Sequence, residues 1–289
     1  MMVYLKHILF ILLAISLMIL NLNCSRKVTQ TKASTQNIEY LIEKGNQYWE
    51  QRIDSNALIK TEHFINLAYE QQKNNFSLAI LLSKIIFTKA YFSKNENLDS
   101  LFLRSSNICM NAVLIHDDFS PILKQSKGDS VFKLLSAIAE APRSVIPGLY
   151  WWGVNRTMYL QNRPVLERIK ERELLEVIMH RVLSLEPDFY FGGPYRFFGS
   201  LYTRIPGIEL SQSKSYFDQA IVTNPQYLGN HVQLAQYYYQ KSGDREKFNE
   251  TLKMVLNVNL TDYPEIMADN FYYQKKAEIL LENESLLFE

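Results

Sequence analysis

The apolar residues of this chain recur at intervals of three and four through most of its length, and this spacing lines one side of an α-helix. A clear example is the run Leu174, Leu175, Ile178, Met179, Val182 and Leu183. Runs that alternate at every second position, which are typical of strands, are scarce. The 289 residues also include only 10 glycines and 9 prolines, too few for the turns of a many-stranded β protein. The pattern predicts an all-α fold.

Short polar or proline-containing breaks separate these segments and predict antiparallel helical hairpins in series. The best-defined signature is Phe217, Ala220 and Pro225, which matches the second helix of a tetratricopeptide repeat. An alanine there lets two helices approach closely, and the proline ends the helix because it disfavours the helical conformation of Asn224. Looser copies recur along the chain. The sequence therefore predicts tetratricopeptide-like hairpins that form an α-solenoid or a compact helical bundle.

The N-terminal segment has the layout of a bacterial lipoprotein signal peptide. A basic residue precedes the apolar run 8–20, and Cys24 follows this run closely. The run is shorter than the roughly 20 residues that span a membrane. We therefore expect a signal peptide over residues 1–23, a lipidated Cys24 and a flexible tether over residues 24–36. A plain secreted start and an uncleaved anchor are the alternatives. Lipidation would hold the protein in the periplasm, at the inner or the outer membrane.

The helical domain is predicted to cover residues 37–289. Within it, the stretch 115–147 breaks the helical period and is expected to be an irregular joint or an insertion. If Cys24 carries the lipid, Cys109 is the only other cysteine, so no internal disulfide can form. Its apolar neighbours predict that Cys109 is a small buried hydrophobic residue rather than a reactive thiol.

Functions that depend on a local catalytic motif do not fit this sequence. It contains no glycine-rich phosphate loop, His-Glu-x-x-His pair, paired-cysteine metal motif or nucleophile elbow. The segment His116-Asp117-Asp118 is expected to be a solvated loop, because three adjacent side chains cannot all face one ion. The 31 basic and 30 acidic residues are intermixed and form no basic stripe for nucleic acid. We expect a binding protein that is not an enzyme, with no cofactor, no metal and no nucleic-acid partner.

Three clusters of aromatic residues are the unusual content of the chain: Tyr150 to Trp152, the rings between Phe189 and Phe198, and Tyr237 to Tyr239. The last cluster is expected to pack within the helical stack. Consecutive rings point around most of a helix, so Tyr150, Trp151 and Trp152 are not expected all to enter one core. An apolar cavity or an interface is expected to receive some of them.

The segment Gly192-Gly193-Pro194 interrupts the second aromatic cluster. Two glycines allow backbone angles closed to other residues, and the proline then begins a helix at its first turn. Arg196 follows one turn later, surrounded by rings. It could stack on them or pair with an acid group of a ligand, or it could fix the hairpin through a buried salt bridge, and the sequence leaves these alternatives open.

Two of these segments resemble the TRAP-transporter T-component (TatT) lipoproteins, a family of periplasmic tetratricopeptide-repeat proteins. The first runs from Pro147 to Asn155 and includes the Leu-Tyr-Trp sequence, and the second is Gly192 to Gly199 with Pro206-Gly207. The likeness covers residues 144–281 and the lipoprotein start. Residues 37–143 match only in general helical character.

The resemblance implies an accessory protein, expected to be a homotrimer, that assembles with a periplasmic TRAP-type solute-binding protein. Its repeats would enclose a cleft or pore for an apolar small molecule, with an acidic one as a further alternative, and hand this molecule over without a covalent step. The residues expected to line the cleft or the partner face are Tyr150, Trp151, Trp152, Asn155, Tyr190, Phe191, Tyr195 and Arg196. The alternative is a generic tetratricopeptide scaffold lipoprotein that assembles envelope proteins and has no ligand.

Overall fold

The computed structural model describes residues 35–92, 98–205 and 207–289. The predicted signal peptide, Cys24 and nearly all of the predicted tether lie outside these residues. The described part of the chain folds into helices and contains no strand, so the predicted all-α fold is confirmed. None of the helices in these ranges has the length and apolar character that crossing a bilayer requires.

The helices follow one another with short connections. In chain order they are α1 (35–50), α2 (Ser55–Gln71), α3 (Phe76–Tyr91), α4 (Asp99–Ile115), α5 (Ser120–Gln125), α6 (Ser130–Ala139), α7 (Ile146–Leu160), α8 (Val165–Leu185), α9 (Phe189–Tyr202), α10 (Leu210–Thr223), α11 (Leu228–Gln233), α12 (Gln240–Ser242), α13 (Arg245–Leu256), α14 (Met267–Glu282) and α15 (Glu284–Leu287). A π-helical segment, Leu234–Tyr239, joins α11 to α12. Single 3₁₀ turns occupy Arg143–Val145, Leu260–Asp262 and Pro264–Ile266.

Polar caps set several helix boundaries. The side chains of Asp54, Asn75, Asp129 and Asp244 each accept a backbone N–H bond at the first turn of α2, α3, α6 and α13. Each such cap stabilises its helix by about 1 kcal/mol, because it satisfies a donor that has no partner inside the helix. Gly243 ends α12 with a φ of 72°, a left-handed conformation that glycine adopts without strain.

Helices that are neighbours in sequence pack against each other, notably α2 with α3, α7 with α8 and α9 with α10. In the α9–α10 pair, a Cβ atom at Gly199 would lie 2.8 Å from the ring of Phe217, so only glycine permits this approach. Phe217 and Ala220 are both fully buried. The packing agrees with the close contacts expected at these positions, whereas the assignment of the hairpins as tetratricopeptide-like stays a prediction.

The main core surrounds α7, and here the structure corrects one expectation. Tyr150, Trp151 and Trp152 are 3%, 2% and 2% exposed and all belong to one hydrophobic core. The prediction that three consecutive rings could not all be buried together was wrong, because α7 is enclosed: α3, α4 and α8 all pack against it. A helix covered on several sides buries rings in several directions.

The predicted joint, residues 115–147, contains α5, α6 and one 3₁₀ turn rather than a long regular helix. It leads into α7 at the centre of the core. Just before it, Cys109 is fully buried, as predicted, and burial raises the pKa of its thiol to about 12. A thiol with such a pKa is protonated near neutral pH and is a poor nucleophile.

Candidate functional site

A narrow cavity lies where α3, α7, α9, the π-helical segment and α14 meet. It comprises about 490 Å³ of empty space, including its open mouth. Its aromatic wall is formed by Phe87, Tyr91, Tyr150, Tyr190, Phe197, Tyr237 and Tyr273. Arg196 also lines it, and no acidic side chain of the described residues does. We call this space the aromatic cavity; only about 50 Å³ of it is open to a water-sized sphere, well below the roughly 300–1,000 Å³ of small-molecule sites, so a ligand requires the lining side chains to move apart.

One wall of the aromatic cavity is an unusual turn at the start of α9. Tyr190, Phe191 and Gly192 have φ angles of 48°, 59° and 74°, all in the left-handed region. Glycine adopts this region freely, but each aromatic residue there costs roughly 1–2 kcal/mol. Such strain persists only where surrounding contacts enforce it. The sequence predicted unusual backbone angles at the glycines, but it did not predict them at the two preceding rings.

Arg196 supplies contacts that hold this turn. Its Nη2 donates to the carbonyl oxygen of Tyr190 at 3.1 Å, and its Nη1 donates to that of Phe191 at 2.8 Å. The guanidinium also stacks over the ring of Tyr227 at 4.8 Å, which is one of the alternatives that the sequence left open. It forms no ion pair with any carboxylate in the described ranges, so the buried salt bridge is not found. Arg196 is 3% exposed, and all of its hydrogen-bond acceptors are uncharged.

Asn230 completes this network from α11. Its Oδ1 accepts a hydrogen bond of 2.7 Å from Arg196 Nη1, and its Nδ2 donates to the carbonyl oxygens of Ala220 and Asn224 at 2.8 and 3.0 Å. The side chain is fully buried. It therefore connects the end of α10 to Arg196 and, through Arg196, to the left-handed turn.

Tyr150 lines the cavity beside Arg196. Its hydroxyl accepts a weak bond of 3.4 Å from Arg196 Nη2. Burial raises the pKa of Tyr150 to about 12, so its hydroxyl stays protonated near neutral pH. A Cβ atom at Gly193 would lie 2.5 Å from the Tyr150 hydroxyl oxygen. The second glycine of the Gly-Gly-Pro segment is therefore needed for close approach, and not for a positive φ.

Asp269 on α14 joins the cavity wall to the N-terminal helices. It accepts a hydrogen bond of 2.8 Å from the Tyr190 hydroxyl and forms an ion pair of 2.6 Å with Arg52, which follows α1. Arg52 and Asp269 are both largely buried. Tyr272 also donates to the backbone carbonyl of Arg52. Asp269 thus holds the hydroxyl end of Tyr190, whereas Arg196 binds its backbone carbonyl.

The structure brings together three of the eight predicted cleft residues at the aromatic cavity: Tyr150, Tyr190 and Arg196. Trp151 lies behind them, with its ring 4.9 Å from that of Tyr190. Trp152 is packed within the core.

The other three predicted residues point elsewhere. Asn155 is fully buried on α7, where its Nδ2 donates to the carbonyl oxygen of Trp151 and its Oδ1 has no partner in the described residues. Phe191 stacks on Tyr227 with 4.7 Å between ring centroids. Tyr195 faces Tyr216 on α10 at 6.5 Å. These positions support the cavity wall or the helix pairs rather than lining the cavity.

Several lining residues were not among the predicted ones, in particular Phe87, Tyr91, Gln233 and Tyr273. They are scattered over α3, α11 and α14, and no local motif marks them. Tyr237 belongs to a cluster that the sequence assigned to packing, but the π-helical segment directs it to the cavity. Such segments are frequent at functional sites and are not visible in hydrophobic periodicity.

The comparison with known families agrees with the resemblance found in the sequence. A family model described as TRAP transporter T-component matches residues 89–288, well over half of the chain. The match includes every lining residue of the aromatic cavity except Phe87. No curated protein matches the chain. The chain therefore belongs to the TRAP transporter T-component family, which makes it an accessory component of a TRAP transporter.

Proposed function

We propose that this protein is a periplasmic accessory component that binds an apolar small molecule in the aromatic cavity and exchanges it with a TRAP-type solute-binding protein. The observation that carries the ligand-binding part is the cavity itself, which combines seven aromatic rings with one buried cation and no acidic lining residue in the described ranges. The partner part is supported by the family.

The proposed mechanism is binding and release without covalent chemistry. Removal of apolar ligand surface from water provides the driving force, at about 25 cal/mol per Å². Thr157 Oγ1 borders the cavity and has no hydrogen-bond partner in the part of the chain that the structure describes. A ligand with a polar end would satisfy this atom. The tetratricopeptide-like hairpins would act as the frame that holds the rings in place.

Isothermal titration of the purified protein with a TRAP-type solute-binding protein from the same organism tests the partner. An unrelated periplasmic binding protein serves as the control. We expect a saturable complex with the first protein only. If both proteins fail to bind, with and without added ligand, the proposed partnership is wrong.

Native mass spectrometry of protein prepared without detergent tests both the ligand and the proposed homotrimer. We expect a trimeric mass and an additional small-molecule mass that disappears after denaturation. A monomer at micromolar concentration would contradict the trimer, and a protein that neither retains nor takes up apolar compounds would contradict the carrier function.

The proposed anchor is the lipid on Cys24, which would place the protein at a membrane surface in the periplasm. Mass spectrometry of the N-terminal peptide from a membrane fraction tests it. We expect a modified cysteine at the N-terminus of the mature protein and loss of membrane association in the Cys24→Ala variant. An unmodified Cys24 in mature, membrane-associated protein would refute lipidation.

A further inference from the structure

α6 exposes large apolar side chains at one corner of the molecule. Only three of its ten residues are polar, yet Ala137 and Ile138 are its only buried residues. Val131 and Phe132, in its first turn, are 64% and 61% exposed. A helix that is apolar around most of its circumference is normally covered on more than one side. We call residues 124–133, which include the end of α5 and the start of α6, the α5–α6 corner.

Local contacts hold the ring of Phe132 in this corner. The backbone N–H of Phe132 donates to Asp129 Oδ1 at 2.9 Å, which caps α6. A Cβ atom at Gly128 would lie 2.7 Å from Cδ1 of Phe132, so the ring lies directly against the backbone of Gly128. Gly128 has a φ of 106°, which glycine adopts without strain. The ring is therefore placed beside Lys127, the residue that precedes Gly128.

Positive charge accompanies the exposed ring. The corner contains Lys124, Lys127 and Lys133, and Asp129 is its one acidic residue. Lys124 and Lys127 are exposed, and Lys133 is partly exposed. The ion pairs of the described residues involve a different set of lysines, namely Lys73, Lys89, Lys214, Lys247 and Lys275. The corner therefore joins apolar side chains to three lysines that have no carboxylate partner in the described ranges.

This combination fits the surface of an anionic bilayer. Apolar side chains enter the boundary between headgroups and acyl chains, and lysines beside them are attracted to lipid phosphates. A second copy of the chain fits less well. Two copies docked face to face through this corner would bring the same lysines together, because such an interface uses one surface twice.

The proposed anchor brings a bilayer within reach of this surface. Residues 25–34, which separate Cys24 from the described part of the chain, span at most about 36 Å. A compact domain of about 250 residues has a radius of gyration of about 18 Å and hence a diameter of about 46 Å. A lipid on Cys24 would therefore keep part of the domain's surface close to the membrane.

We propose that the α5–α6 corner is a second, non-covalent membrane contact, in which Phe132 and Val131 enter the headgroup region of an anionic bilayer and the three lysines bind lipid phosphates. The proposal goes beyond the proposed function, and it rests on the proposed lipid anchor only for bringing the bilayer within reach. One attachment point at Cys24 does not determine which face of the domain meets the membrane. A second contact at this corner would determine it.

Co-sedimentation with vesicles tests the contact. The protein is the mature chain, residues 24–289, with Cys24→Ala so that no lipid contributes. We expect it to bind phosphatidylcholine vesicles with one quarter phosphatidylglycerol at least tenfold more tightly than vesicles of phosphatidylcholine alone. Phe132→Ser should weaken binding to the anionic vesicles about tenfold, and Lys127→Gln about fivefold. The matched controls, Val222→Ser at a 76% exposed apolar residue of α10 and Lys253→Gln at an exposed lysine of α13, should bind as the parent protein does.

A fluorescence measurement locates the contact independently. The tryptophan emission of a Phe132→Trp variant should shift to shorter wavelength with anionic vesicles, whereas that of Val222→Trp should not. Circular dichroism establishes that each variant is folded.

Three results would overturn the membrane contact: no binding to the anionic vesicles, equal binding to both kinds of vesicle, or equal effects of Phe132→Ser and Val222→Ser. Unchanged vesicle binding by Phe132→Ser together with a smaller oligomer in native mass spectrometry would overturn it in favour of a second copy of the chain. Each of these results leaves the lipid anchor untouched, because the protein tested carries Cys24→Ala and the anchor is measured on the N-terminal peptide.

Discussion

Arg196 on α9 donates a hydrogen bond of 2.7 Å from Nη1 to Oδ1 of Asn230 on α11, and both side chains are almost completely buried. Through this bond, one cation connects a strained turn, two helices and the wall of the aromatic cavity. Arg196 donates to carbonyl and amide oxygens and has no carboxylate partner in the described ranges. Its positive charge at the cavity wall is therefore not neutralised by an acidic side chain there.

Loss of this network should destabilise the protein. Arg196→Met keeps most of the apolar stem but leaves Asn230 Oδ1 and two carbonyl oxygens without their donor, so we expect a loss of about 3 kcal/mol in the free energy of unfolding. Urea denaturation followed by circular dichroism measures it. Arg172→Met, which removes a partly exposed i, i+4 pair within α8, should cost about 0.5 kcal/mol. Similar losses in both variants would contradict the role assigned to Arg196.

Gly193→Ala tests the close contact between α9 and Tyr150. The new methyl group would lie 2.5 Å from the tyrosine oxygen, so the ring must move into the cavity, and we expect a cost of about 2 kcal/mol with weaker ligand binding. Gly153→Ala is the matched control, because its methyl group would meet only flexible side-chain ends at 3.2 Å. A larger loss of unfolding free energy in Gly193→Ala than in Gly153→Ala is the result expected from the clash at Tyr150, and equal losses would contradict it.

The hydrogen bond from Tyr190 to Asp269 should contribute to the free energy of unfolding. This contribution is separate from that of the apolar ring of Tyr190. Tyr190→Phe keeps the ring and removes the donor, and we expect a destabilisation of about 1 kcal/mol. Tyr195→Phe removes a hydroxyl that has no hydrogen bond in the described residues, so it should leave stability unchanged within about 0.5 kcal/mol. Thermal unfolding of both variants compares them, and equal shifts in Tm would show that the Asp269 bond is not structural.

Lys276 should make stability depend on pH in the alkaline range. In the unfolded chain the ammonium group of Lys276 has its ordinary pKa of about 10.5. In the folded protein burial and, to a smaller extent, the charge of Arg204 lower this pKa to about 8. Between these values the unfolded state holds more protons, so the folded state gains stability as the pH rises. The facing groups are Tyr91, whose pKa burial raises well above its ordinary value, together with Tyr237 and Arg204.

The comparison of wild type with Lys276→Met isolates this effect from the titration of the tyrosines. From pH 7 to pH 10 the wild type should gain stability relative to the variant by on the order of 2 kcal/mol, after allowance for the water at the partly exposed ammonium group. Urea denaturation at each pH measures the difference. A difference that does not change with pH would show that the pKa of Lys276 is not lowered.

The sequence predicted the parts of the fold that follow local rules. The apolar periodicity of α8, the tight packing of Ala220 and the burial of Cys109 depend on neighbouring residues in one or two helices, and all three are found. The enclosure of α7 was not predicted, because it depends on which helices from distant segments cover it.

The sequence predicted only those lining residues that lie in or beside an aromatic cluster of the chain. Tyr150, Tyr190 and Arg196 lie in aromatic segments that stand out in the sequence, and they line the cavity. Tyr91 and Tyr273 are separated by nearly two thirds of the chain, and no spacing rule brings them together. Helix packing in three dimensions alone decides that both reach the same cavity.

The central claim is that the aromatic cavity holds an apolar ligand, and calorimetric titration of decanoate into a cavity-filled variant tests it most directly. Val154 lines the cavity on α7, so Val154→Phe should fill part of it and weaken binding at least tenfold. Val165→Phe adds the same ring at an exposed position on α8 and should bind as the wild type does. Equal affinity in all three proteins, or no binding by the wild type, would contradict the account.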